Sequence, residues 1–127
     1  MDTTERKMWE KIRERWDGFG VRVEARRGGV DPGTPDCLLM VRGRGGVWVE
    51  LKVWPTTLEP IQLAWAIDCA QRGGTALVMC QVGKREFWVG MAEEYELCTV
   101  RKAKPAGVSL QKALAMVALA VSGKLPT

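Results

Sequence analysis

The chain contains no histidine. That absence removes Ser-His-Asp hydrolysis, Cys-His proteolysis and every nuclease chemistry that relies on a histidine base or ligand. Cysteine is sparse. Cys37, Cys69, Cys80 and Cys98 form no CxxC pair, and with no histidine to complete a tetrahedral set, a zinc site is not expected. Three of the four lie in apolar surroundings, where a reduced thiol is a small hydrophobe, so a reducing, cytoplasmic setting is expected. No apolar run is long enough to span a bilayer. The start, MDTTERKMWEKIRERW, is charged and lacks an apolar core, so neither a signal peptide nor a membrane partner is expected. Repeats, long linkers and low-complexity tracts are missing too.

What is present fits one globular domain. The 127 residues are 46% hydrophobic, enough to bury a real core. The expected layout is a single domain over 1–127, with its core at about 5–90 and a C-terminal helical extension at about 91–123. The net charge of +4 is a mild bias toward polyanions. Without histidine, any hydrolysis must rest on carboxylates, lysine and a hard metal ion.

The most informative stretch is GTPDCLLMVRGRGGVWVELK, Gly33 to Lys52. It predicts two strands, Cys37–Val41 and Val47–Val53, joined by a glycine-rich turn. Residues two apart in a strand share a face. Val47, Val49, Leu51 and Val53 therefore form an apolar face, while Glu50 and Lys52 project together between Trp48 and Trp54. Such a face differs from an ordinary solvated one. With Asp36 at the start of the first strand, two carboxylates and an ammonium share one edge of a hairpin. They can place a divalent ion against a phosphodiester, align a water and offset developing negative charge. Asp36 and Glu50 are the candidate ligands, with the backbone carbonyl of Leu51 as a third oxygen. An oxygen-only, partly hydrated site suits Mg²⁺, with Mn²⁺ as a substitute. Lys52 is placed to orient or deprotonate the water, or to neutralise the phosphate.

Elsewhere, Asp2–Trp16 reads as an amphipathic helix with Met8, Trp9, Ile12 and Trp16 on one stripe. Val21–Ala25 alternates like a half-exposed strand, and Arg26–Pro35 is a Gly/Pro loop. A helix is expected from about Pro60 to Gln71, with proline in the first turn. Strands are expected at Thr75–Val82 and Glu86–Val89, a short helix at Ala92–Leu97 and a nearly uncharged helix at Val108–Val121. That last helix must be buried in the core or at a subunit interface. The order of elements points to an α/β layered domain.

Pro35-Asp36 followed by Glu50-Leu51-Lys52 resembles the PD-(D/E)xK nuclease signature. GTPD, a short hairpin, VELK and then Gln62 opening a helix resemble the VRR-NUC branch, to which Holliday junction resolvases are related. The resemblance covers roughly Glu5 to Val82. It implies a restriction-endonuclease-like core, a central mixed β-sheet flanked by helices in α-β-β-β-α-β order. It also implies a metal-dependent deoxyribonuclease acting on DNA, preferentially Holliday junctions, branched or flap structures. Asp36 and Glu50 become metal ligands and Lys52 the catalytic lysine.

The family places a glutamate on the first helix near the metal. Here Glu5 shares the core-facing stripe, whereas Glu10 and Glu14 fall away from it; the other reading of Glu5 is a capping-box residue with Asp2. Gln62, with Trp65 three residues on, matches a family glutamine that faces the site and can bond water or phosphate. Arg26, Arg27, Arg42 and Arg44 are candidate DNA-backbone contacts, and Trp54 a candidate for stacking on a base. Members that stand alone imply a homodimer, since a four-way junction is two-fold symmetric. The competing readings are a catalytically silent DNA- or protein-binding member of the fold, and a restriction-type or exonuclease activity.

Overall fold

A computed structural model describes residues 3–23 and 32–121 of the chain. Helix α1 (Thr3–Arg15) is followed by strands β1 (Gly20–Arg22), β2 (Cys37–Val41) and β3 (Gly45–Val53), then α2 (Pro60–Gln71), β4 (Ala76–Gly83), β5 (Glu86–Gly90), α3 (Ala92–Arg101) and α4 (Leu110–Val121). Among the described residues the five strands form one sheet in the order β1-β2-β3-β4-β5. The β3–β4 pair is parallel and the other three pairs are antiparallel. A parallel pair cannot be joined by a tight turn, and α2 makes the crossover.

The sheet has two apolar faces, as its central strands require. On one, Leu39, Val47, Val49, Leu51, Leu77, Met79 and Phe87 pack against Met8, Trp9 and Ile12 of α1 and Leu110, Ala113, Leu114 and Val117 of α4. On the other, Val78, Cys80 and Val82 pack against Leu58, Ala92 and Tyr95, with Leu63 and Ala66 of α2 alongside. The expected mixed sheet flanked by helices is the observed architecture.

Several boundaries differ from the sequence reading. β1 covers Gly20–Arg22; it pairs only with Leu39 to Cys37 of β2, at the sheet edge, and Glu24, Ala25 and the Arg26, Arg27 loop lie outside the described residues. β3 starts at Gly45 because Gly45 and Gly46 pair with Val41 and Met40. Helix α3 runs on to Arg101 and ends where Lys102 turns left-handed at φ 54°. α4 begins two residues late because Val108 is held in a bridge to Phe87. The apolar side of α4 is spent on the sheet, so the core accounts for its composition. No helix among the described residues is long and apolar enough to cross a membrane.

Candidate active site

Alternation along β3 builds the site. Val47, Val49 and Leu51 enter the α1/α4 side of the core, which turns Trp48, Glu50 and Lys52 to the α2/α3 side. Glu50 and Lys52 are each only 6% exposed. Charged residues reach that depth only with partners, because desolvation is costly.

Asp36 immediately precedes β2. Cys37 faces the first core, so Asp36 shares the face of Glu50 and Lys52. The β2–β3 ladder reaches its end at the Cys37–Val49 pair. Beyond it, the Leu51 N–H has no strand partner and donates to Asp36 Oδ2 at 2.9 Å. The carboxylate thus takes the position of a missing ladder acceptor and is pinned against the edge of β3. The N–H of Trp48 donates to Thr75 O and that of Trp54 to Gln81 O, both toward β4. Leu51 therefore directs its N–H and its C=O to the opposite, Asp36 side.

Gln62 ties α2 to this centre. Its Oε1 accepts from the Glu59 N–H at 2.9 Å, capping the helix, and its Nε2 donates to Glu50 Oε2 at 3.1 Å. The capping bond decides the amide orientation, because a backbone N–H needs the oxygen. Lys52 Nζ lies 3.8 Å from the same Glu50 Oε2. Trp65, three residues after Gln62, meets Trp48 edge-on at 5.4 Å and 72°, which docks the helix face carrying Gln62 onto β3. Gly33, at φ +90°, lies against Ile61: a Cβ there would sit 2.6 Å from the Ile61 carbonyl oxygen. That close approach sets the segment leading to Asp36 against the start of α2.

The electrostatics follow from this crowding. Burial raises the Glu50 carboxyl from its ordinary 4.5 to about 9, helped by the charge of Asp36 and a hydrogen bond with it; Lys52 opposes the rise and Glu5 adds to it. Two carboxyl groups close enough to share a proton in a buried place favour a positive charge between them, and a divalent ion can take the proton's role. Asp36, Glu50 and the Leu51 carbonyl supply oxygen ligands only, and two carboxylates with remaining positions for water match what Mg²⁺ takes. Among the described residues no cluster of three or more His, Cys, Asp or Glu side chains surrounds one point. Glu5, half-buried on α1, acts on Glu50 through its charge.

The fold is similar to that of a solved nuclease over its whole length. The Holliday junction resolvase Hjc of Archaeoglobus fulgidus, an archaeal hyperthermophile, superposes with a TM-score of 0.59 at 17% identity, covering 98% of this chain and 100% of that one. The chain has the restriction-endonuclease-like fold. No protein-family model and no curated protein sequence matches it.

On this restriction-endonuclease-like scaffold Asp36, Glu50, Lys52, Gln62 and the Leu51 backbone converge, with Glu5 within electrostatic reach. Arg42 and Arg44 do not join them. They are exposed in the β2–β3 turn, and six residues of strand, about 20 Å, separate Arg44 from Glu50. Trp54 packs edge-on against Tyr95 at 6.2 Å and 88°. Cys37 lies behind the acids with its thiol donating to Val49 O; burial and then the charges of Asp36 and Glu50 push its pKa well up, so it stays a neutral thiol.

Two supports escaped the sequence reading. Glu59-Pro60-Ile61-Gln62 has the spacing of a capping box, a legible signal. Tyr95, which donates to Thr56 O and so fixes the connection between β3 and α2, carries no local signal at all.

Proposed function

We propose that this chain is a Mg²⁺-dependent DNA endonuclease of the VRR-NUC type within the PD-(D/E)xK nucleases, cutting branched DNA such as four-way junctions and flaps. One observation carries the reading: half-buried Asp36, just ahead of β2, is held against β3 at Leu51, beside buried Glu50 and Lys52, on a fold similar to that of a Holliday junction resolvase. A buried glutamate beside a buried lysine and a half-buried aspartate costs stability, and packing alone gives no reason for it.

Asp36, Glu50 and the Leu51 carbonyl would hold the ion, with Glu5 reaching in from α1. When bound, the metal supplies Lewis acidity toward a non-bridging phosphate oxygen and toward a coordinated water. The protein's own groups do the positioning. The Leu51 N–H fixes Asp36. Gln62 holds Glu50 by its amide and keeps α2 capped, so the carboxylate and the helix start move as one. Lys52 offsets charge on the phosphate and orients the attacking water, and its 6% exposure strengthens that interaction because little solvent screens it. Two copies related by a two-fold axis would cut the two strands of a junction symmetrically.

The test is cleavage of end-labelled four-way junction, flap and linear duplex DNA with Mg²⁺ or Mn²⁺. Asp36→Ala, Glu50→Ala and Lys52→Ala should each lose about 100-fold or more in rate, the scale of removing one charge-stabilising group. If all three cut as well as the wild type, the assignment is wrong.

A further inference from the structure

A second charged feature lies on the other side of the sheet. A cavity of about 550 Å³ opens among α1, the β4–β5 turn and the start of α4. Lys11 and Arg15 of α1, Lys84 and Arg85 of the turn, Phe87 and Ser109 line it, and no carboxylate is among its lining residues. Among the described residues none of the four cations is in an ion pair. Lys11 and Arg15 are four apart on one helix face, a like-charge spacing that costs helix stability. Four cations from two elements around one hollow cost further through repulsion. A surface serving solubility alone would intersperse the signs. Arginine and lysine side chains lining one hollow are the donors that hold phosphate oxygens.

Its position separates it from the acids. Phe87 belongs to the α1/α4 face, whereas Glu50, Lys52 and Gln62 lie on the α2/α3 face. Both features lie toward the C-terminal ends of the parallel pair: Val53 follows Lys52 and pairs with Gln81, three residues before Lys84. DNA seated at Glu50 thus has the cavity behind it, across the sheet. We propose that this cavity holds a backbone phosphate of a DNA arm other than the one being cut. The proposal rests on the nuclease reading for the identity of the polyanion.

The test measures equilibrium binding of fluorescent four-way junction and linear duplex to the full chain in EDTA, across a salt series. Lys84→Ala with Arg85→Ala should weaken junction binding about tenfold and duplex binding threefold or less, and reduce the salt slope by about 0.9 for each phosphate no longer neutralised. Lys11→Ala with Arg15→Ala, from a different element, should reproduce this. Arg101→Ala with Lys104→Ala removes the same charge outside the cavity and should leave the junction preference intact. Equal loss in this control, or equal loss for junction and duplex, overturns the proposal. So does unchanged DNA affinity in a variant that has lost a thermal shift given by inorganic phosphate, which would make the cavity a site for free phosphate. Because EDTA keeps cleavage out of the measurement, junction binding through the cavity by a chain that cuts nothing when Mg²⁺ is supplied would uphold this site and remove the nuclease reading.

Discussion

Glu50 concentrates the physics of the site at the scale of one residue. Its carboxyl titrates at about 9 when folded against an ordinary 4.5. Between those values the folded chain binds a proton that the unfolded chain has released. Linkage then makes the unfolding free energy fall as pH rises through that window. Metal-free protein should therefore melt at lower temperature at pH 8.5 than at pH 5.5, and Glu50→Gln should flatten that dependence and raise the pH 8.5 melting temperature by about 4 °C. Calorimetry in EDTA reads this directly; a variant with unaltered pH dependence would refute it. Millimolar Mg²⁺ should raise the wild-type melting temperature at pH 8 by binding the folded state alone, with no such rise in Asp36→Ala or Glu50→Ala. Gln62→Ala removes a donor to Glu50 and a helix cap together, so it should lower both cleavage, about tenfold, and stability, by about 1 kcal/mol.

At the scale of elements, the acids depend on how two connections are held. Tyr95 of α3 is fully buried, packs against Trp54 and Trp88, and donates its hydroxyl to Thr56 O, with the Cys80 thiol donating to the same hydroxyl. Tyr95→Phe keeps the ring contacts and frees the loop before α2. It should cost about 1 kcal/mol in urea unfolding, with a larger proportional loss in cleavage than in DNA binding, because Gln62 follows that loop. Gly33→Ala acts on the other connection. It forces a left-handed residue against the Ile61 backbone and should cost roughly 1–3 kcal/mol. A crystal structure or spectrum showing Asp36 undisturbed in a stable Gly33→Ala chain would contradict this role for Gly33.

For the whole molecule, the sheet separates two charged features onto opposite faces, the acid pair over α2 and the basic cavity between α1 and α4. The proposed homodimer is checked by light scattering at micromolar concentration, where twice the chain mass is expected and a monomer would undercut paired cutting. The apolar residues of α4 give no separate reason for a subunit contact, since Leu110, Ala113, Leu114, Val117 and Ala120 are buried within one chain. Exposed Phe19 and Val21, by contrast, lie at and beside the β1 edge.

Local patterning determined a great deal by itself. Alternation in VWVELKV placed Glu50 and Lys52 on one face, because a strand leaves a residue no other choice. The missing histidine excluded histidine-dependent chemistry, and Pro60 and Gly73 bounded α2. Which carboxylate meets which group was decided only by the tertiary structure. Asp36 reaches Leu51 because β2 begins only at Cys37, so that the ladder stops at the Cys37–Val49 pair and leaves the Leu51 N–H for the carboxylate. Glu5 acts on Glu50 because α1 crosses β3, and Lys11 shares a hollow with Lys84 because α4 holds the β4–β5 hairpin beside α1. These are contacts between segments far apart in the chain, set by packing two helices on each face of one sheet, and no local periodicity encodes them.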